Sequence, residues 1–246
     1  MHFNWNFKNA VGIVRMTIGQ RLQRNVDRAL GRAARESRLA AHVAARAPAG
    51  DPAATLATID EFARTQRWLM NVGPIKGTVL REAVQRYRPQ RVLEIGAYCG
   101  YSAVLIGASI TVWDGHLISI ERSRRFAAVA RGIVAHAGLA DTVDLRIGTL
   151  SEHLDKLGEP FDLVFLDHWK DEYLADLRRL EKAGLVRAGS VIVADNVGFF
   201  AVPDYLDYVR NGGRYESRYF EGSVEYQPDL PDGVEVSVHR TSMPMR

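Results

Sequence analysis

Two stretches of this sequence end an apolar run in an acid. They are Phe165-Leu166-Asp167-His168-Trp169-Lys170 and Ala194-Asp195-Asn196. If the runs are neighbouring parallel strands, their ends lie about 5 Å apart, and Asp167, Asp195 and Asn196 converge on one point. Three oxygen donors without cysteine suit a hard cation. Magnesium is such a cation, and it keeps several positions for water or substrate.

Two neighbouring hydroxyls, as in a catechol, would fill two of those positions. A phenol ionises near pH 10, and a divalent cation on its oxygen favours the anion. Lys170 stands three residues after Asp167 and is placed to take the proton. That role needs a neutral amine, which burial beside a cation favours. The phenolate would then attack a methyl donor in line, with alignment as the largest rate term. The plainer reading of each acid is a helix N-cap, since a helix follows each strand. Two strands ending in Asp, one followed by Asn and the other by Lys, weigh toward the metal. His168 reads as a neutral ring against a cofactor rather than as a ligand, and Trp169 as a wall.

A second constellation lies upstream. The run Arg91 to Gly96 ends in Glu94-Ile95-Gly96-Ala97-Tyr98-Cys99-Gly100-Tyr101-Ser102, a G-x-x-x-G spacing before a helix. Glycine there lets the backbone approach a ligand closely. The next strand ends in Glu121, 25 residues beyond Gly96, where an acid can accept hydrogen bonds from a ribose diol. The spacing differs from the G-x-G-x-x-G of dinucleotide sites and leaves no tight pyrophosphate cradle. It suits a nucleoside without phosphates, such as S-adenosylmethionine. Gly96 also reads as a turn glycine, and Glu121 as a strand-end charge.

These residues need a parallel sheet to bring them together. From residue 91 strands and helices alternate: strands at 91–96, 116–121, 143–147, 161–167 and 190–195, helices at 101–112, 124–137, 151–157, 172–183 and 205–211. A helix at Thr55–Leu69 precedes them. Two late strands, 215–220 and 234–239, have no helix between them and read as an antiparallel edge hairpin. The expectation is an α/β fold: a Rossmann-like, mostly parallel seven-stranded sheet with helices on both faces. Ligands in such sheets bind outside the strand C-terminal ends, where both constellations fall.

Charge divides the chain. Residues 1–48 hold nine Lys/Arg against two Asp/Glu, and the remainder 23 against 27. The linker Ala47-Pro48-Ala49-Gly50-Asp51-Pro52 separates a basic helical arm (1–48) from a catalytic domain (49–246). Ile18, Leu22, Val26, Ala29, Leu30 and Ala33 line one face of the arm, opposite Arg21, Arg24, Arg28, Arg32 and Arg35. One reading is peripheral contact with an anionic membrane surface, and the other is packing on the domain or on a second subunit. The mildly acidic domain argues against a nucleic-acid substrate. No apolar run approaches the ~20 residues of a membrane span. The stretch Ala10 to Ile18 is short, broken by Arg15 and unlike a signal peptide. The single Cys99 forms no intrachain disulfide and suits a reducing, cytoplasmic setting.

Four motifs resemble one family closely: Met70-Asn71-Val72-Gly73, Leu93 to Val104, Val164 to Asp171, and Ala194-Asp195-Asn196-Val197. They resemble the catechol O-methyltransferases, cation-dependent S-adenosylmethionine enzymes, over about Glu36 to His239. The resemblance implies Asp167, Asp195 and Asn196 as magnesium ligands and Lys170 as general base. It implies Glu225 as the acid on the hydroxyl that is not methylated. Trp68, Met70, Trp169 and Pro203 would wall the ring. Val72, Glu94, Gly96, Tyr98, Ser102, Glu121 and His168, with Asp167 at the border, would form the cofactor pocket.

This chain departs from the pattern at Leu150-Ser151, where the family has Ser-Gln near the adenine. It departs again at Gln227, where the family has a methionine. Its first 35 residues have no counterpart in the family's soluble form. Methylation of larger phenols of caffeoyl or flavonoid type is the alternative activity, and a non-catalytic, membrane-associated S-adenosylmethionine module the alternative class. A nicotinamide oxidoreductase is disfavoured by the glycine spacing.

Overall fold

Leu163 to Leu166 and Val191 to Ala194 carry no polar side chain on either face, as strands covered on both sides must. The structure, a computed structural model, describes residues 30–200 and 202–240, with residues 19, 22, 25 and 27. Its elements are α1 (Arg35–Arg46), α2 (Pro52–Thr65), α3 (Gly73–Tyr87), β1 (Arg91–Ile95), α4 (Tyr101–Ile110), β2 (His116–Glu121), α5 (Arg124–His136), β3 (Val143–Ile147), α6 (Leu150–His153), β4 (Leu163–Leu166), α7 (Tyr173–Lys182), β5 (Val191–Ala194), α8 (Pro203–Asn211), β6 (Tyr215–Val224) and β7 (Gln227–His239). The strands form one sheet in the order β3-β2-β1-β4-β5-β7-β6. The first five are parallel, and β7 runs antiparallel to both β5 and β6. The expected mostly parallel sheet with an antiparallel edge hairpin is what forms.

Strand parity builds two cores and aims the site. Val92, Leu163, Phe165, Val191 and Val193 point into one core, shared with α1 to α4. Leu93, Ile95, Val164, Leu166, Ile192 and Ala194 point into the other, with α7 and α8. By the same alternation Glu94, Asp167 and Asp195 take the first side. The chain stays extended past the strands, since Asp167 N–H donates to Ile95 O and Asp195 N–H to Leu166 O, both at 3.0 Å. Strand order reverses at β1, between β2 and β4, so the crevice opens beside these acids.

The main differences from the sequence reading concern α2, α3 and the hairpin. Helix α2 starts at Pro52, with Asp51 accepting from Ala54 N–H at 2.9 Å, and stops at Thr65 rather than Leu69. Residues 66–69 leave the helix because tertiary bonds claim them: the Trp68 carbonyl accepts from Arg35 Nη1 at 2.9 Å and its indole reaches the late hairpin. Helix α3 was not anticipated; Gly73, Pro74 and Gly77 are poor helix formers. Pro74 sits in its first turn, where no intrahelical N–H is needed. A Cβ on Gly77 would lie 3.2 Å from Leu105, so glycine lets α3 pack closely on α4. The hairpin pairs as far as Val224 and Gln227, well beyond Phe220.

The compositional boundary at residue 48 is not a packing boundary. Leu39, Val43 and Ala47 are buried in the first core. The segment 35–47 therefore packs on the domain. Most of the arm's amphipathic face lies outside the described residues. Among the described residues no helix is long and apolar enough to cross a membrane.

Candidate active site

At the end of β1 the carboxylate of Glu94 is fully buried, and Ser119 Oγ donates to one of its oxygens. The other oxygen has no hydrogen-bond partner. Burial pushes this carboxyl up to about 7, with Ser102 and Ser119 opposing the rise. Gly96 adopts φ +100, and a Cβ there would lie 2.5 Å from Asp167 O and 2.9 Å from His168 N. Only glycine lets the turn after β1 close against the turn after β4.

Glu121, at the end of β2, accepts from Tyr98 N–H at 2.8 Å and from Ser123 N–H at 2.7 Å. Burial raises its carboxyl, while those amides oppose the rise. The two bonds orient the carboxylate and leave it lone pairs for a further donor. Val72 and Ser102 are buried. Tyr98 sits at φ +45, and its hydroxyl donates to Glu36 at 3.0 Å. His168 Nε2 lies 3.0 Å from Asp176 Oδ2, off hydrogen-bond geometry, and its ring centroid is 5.1 Å from that of Tyr173.

The second half gathers more charge than the sequence suggested. Lys170 Nζ donates to Asp167 at 3.1 Å and to Tyr173 Oη at 2.7 Å. Tyr173 Oη in turn reaches the carbonyls of Leu166 and Asp195 at 2.7 and 3.0 Å. Lys76 from α3, 1% exposed, places Nζ 2.9 Å from Asp195, 2.7 Å from Glu225 and 2.6 Å from Asp232. Burial alone would lower its pKa, but these three carboxylates hold it well above the usual lysine value. Asn196, at φ +57, donates through Nδ2 to Glu225 at 2.9 Å and to Asp232 at 2.8 Å. That network turns the amide oxygen away from both acids.

Asp195 is the unsatisfied member. Lys76 approaches it off hydrogen-bond geometry, so both of its buried oxygens remain without a donor. Burial raises its carboxyl well above the usual range, and Asp167, Asp232 and Glu225 add to the rise against Lys76. Burial likewise raises Asp167, against Lys170 and Lys76. Four carboxylates (Asp167, Asp195, Glu225, Asp232) face two ammoniums (Lys76, Lys170), a formal net of −2 when all are ionised. One divalent cation balances that charge, and the donor set is all oxygen. A separate grouping of His168, Glu172 and Asp176 brings one ligand atom from each within 4.8 Å. Its Asp176 is already engaged by His168 and Arg179.

A family model described as O-methyltransferase matches residues 50–204. The chain belongs to the O-methyltransferase family. Catechol O-methyltransferase B of Danio rerio is 44% identical over 87% of this chain and 83% of its own length. Catechol O-methyltransferase of Bos taurus is 39% identical over 84% and 77%. Among solved structures, the O-methyltransferase TomG of Streptomyces achromogenes, in complex with SAM, superposes with a TM-score of 0.65. It is 24% identical, over 76% of this chain and 90% of its own, and so shows the fold alone. The expectations of a Rossmann-like fold and of an O-methyltransferase are met.

For an O-methyltransferase the expected walls fall as follows. Trp68 is tied into the site, its indole N–H donating to the Glu225 carbonyl at 2.7 Å. Met70 and Trp169 are 55% and 66% exposed, and Pro203 opens α8 at the surface. These three make no hydrogen bond to the acids. Leu150 is buried and Ser151 exposed at the start of α6, while Gln227 is exposed at the first position of β7. Lys76, Asp232 and Tyr173 were missed by the sequence reading. Their only signal is burial, which neither a lone lysine in an unassigned segment nor an acid in a late strand announces.

Proposed function

We propose that this protein transfers a methyl group from S-adenosylmethionine to one hydroxyl of a catechol, with magnesium. The carrying observation is the cluster of four carboxylates, three of them buried, against two ammoniums, with Asp195 unsatisfied. The catechol relatives and the family match support it. Asp167, Asp195 and Asn196 would hold the metal, which would supply Lewis-acid stabilisation of a phenolate.

The chain's own groups account for the rest. Lys170, braced by Tyr173 and Asp167, must first give up its own proton to solvent; as the neutral amine it accepts the proton of the attacking hydroxyl at Nζ. Lys76 stays charged and does not serve as base. Glu225 faces the second hydroxyl, its carboxylate fixed by Lys76 and Asn196. The unpaired Glu94 oxygen suits the cofactor's ammonium, and Glu121 its ribose. Trp68, Met70, Trp169 and Pro203 would wall the ring once an acceptor covers them, holding it for in-line attack. The basic arm is proposed to rest on an anionic membrane surface.

The test is product formation with catechol, a caffeoyl ester and no acceptor, with and without magnesium. Magnesium-dependent S-adenosylhomocysteine release with catechol is expected. Turnover of the ester alone would move the assignment to larger phenols, and none with either would leave a binding module. Asp195→Asn is expected to lower turnover about a thousandfold, the scale of several kcal/mol of Lewis-acid stabilisation.

A further inference from the structure

The turn that carries Glu225 is held from outside the site. The pairing of β6 with β7 shifts register between Ser223 and Val224, so the ladder does not set residues 225 and 226. Tyr226 adopts φ +57, a left-handed conformation that a bulky side chain keeps only under constraint.

The constraints come from α2 and the segment after it. Tyr226 Oη donates to Asp60 Oδ1 at 2.8 Å. One turn along α2, the Arg64 guanidinium lies 5.8 Å from the Tyr226 ring centroid. Trp68 holds the Glu225 carbonyl from the other side.

Asp60 has no role in the chemistry described above. It is part-buried and forms no ion pair within 4.0 Å among the described residues. Its hydrogen bonds come from Tyr226 and, at 3.4 Å, from Tyr101. A carboxylate partly withdrawn from water, with Arg64 opposing the rise of its pKa but forming no ion pair with it, is a poor choice for stability. What it does accomplish is to fix the residue next to Glu225.

We propose that Asp60 is a positioning residue: through Tyr226 it sets the angle at which Glu225 meets the acceptor hydroxyl that is not methylated. The acceptor's identity rests on the proposed function, but the latch itself does not. Tyr226→Phe and Asp60→Ala each break the latch, whereas Asp60→Asn keeps an acceptor oxygen.

With a 4-substituted catechol, KM is expected to rise about three- to tenfold in the two latch-breaking variants, the worth of one hydrogen bond. Turnover at saturation stays within about twofold, and the ratio of the two monomethyl ethers shifts. Asp60→Asn restores both values, and Tyr101→Phe keeps them. Amide hydrogen exchange at Glu225 to Gln227 speeds up in both latch-breaking variants, whatever the activity. If Tyr226→Phe does not fold, the contrast between Asp60→Ala and Asp60→Asn gives the same reading.

A lowered melting temperature with wild-type KM, product ratio and exchange would overturn the latch. Faster exchange in a protein that methylates no catechol would support the latch and sink the acceptor assignment instead.

Discussion

The Lys76 ammonium lies 2.6 Å from an Asp232 carboxylate oxygen, with both side chains buried where α3 meets the turn side of β7. Burial alone would raise Asp232, yet Lys76 holds its carboxyl below the usual range, so the pair stays charged. Asp232 also accepts from the amides of Gly198 and Phe199 at 3.2 and 2.8 Å. The pair therefore braces the loop after Asn196, the Asn196 amide and Glu225 together. An ionic pair inside the protein thus sets the geometry of a candidate metal site.

Removing its cation exposes the cost of the arrangement. Lys76→Met leaves Asp195, Glu225 and Asp232 buried without their ammonium. The loss is expected to be about 3–5 kcal/mol, read by chemical denaturation. Wild-type stability in this variant would show that the carboxylates are not charged in the folded protein.

Lys170 faces a different test. Lys170→Ala is expected to lower kcat about 10²–10⁴-fold, the usual worth of a positioned base, with little change in KM. A fall in affinity with kcat preserved would reassign Lys170 to substrate binding.

Glu94 gives a pH signature. Its carboxyl sits near 7 when folded, against an ordinary value of 4.5. A raised acid pKa means the folded state holds its proton longer, so stability falls as pH rises from about 4.5 to about 7 and then levels. The effect is about 3 kcal/mol. Glu94→Gln should therefore melt progressively higher than the parent, without cofactor, as pH goes from 5 to 8. Its affinity for S-adenosylmethionine should drop, as calorimetry would show. A melting difference that does not change with pH would place this titration elsewhere.

The arm offers a last check. Deleting residues 1–46 removes Leu39 and Val43 from the core, about 1.5–3 kcal/mol each. Denaturation midpoints should fall accordingly, whereas deleting 1–29 keeps both side chains and should keep turnover. Equal midpoints for the two truncations would show that α1 contributes nothing to the fold.

The sequence by itself determined the alternation of strands and helices and the acids at the strand ends. Apolar strands ending in Glu94, Glu121, Asp167 and Asp195 announce themselves locally, because period and end chemistry are properties of a few adjacent residues. The proposed metal trio and the proposed base Lys170 follow from those ends once the sheet is parallel. Tertiary structure alone decided that α3 forms despite Gly73, Pro74 and Gly77, and that its Lys76 enters the acid cluster. It decided, too, that Asp232 braces Asn196 and that Asp60 reaches the turn beside Glu225. Those partners are separated by up to 166 residues, as Asp60 and Tyr226 are. A pairing at that distance leaves no periodicity in the chain, since it exists only where packing removes both groups from water and each must find the other.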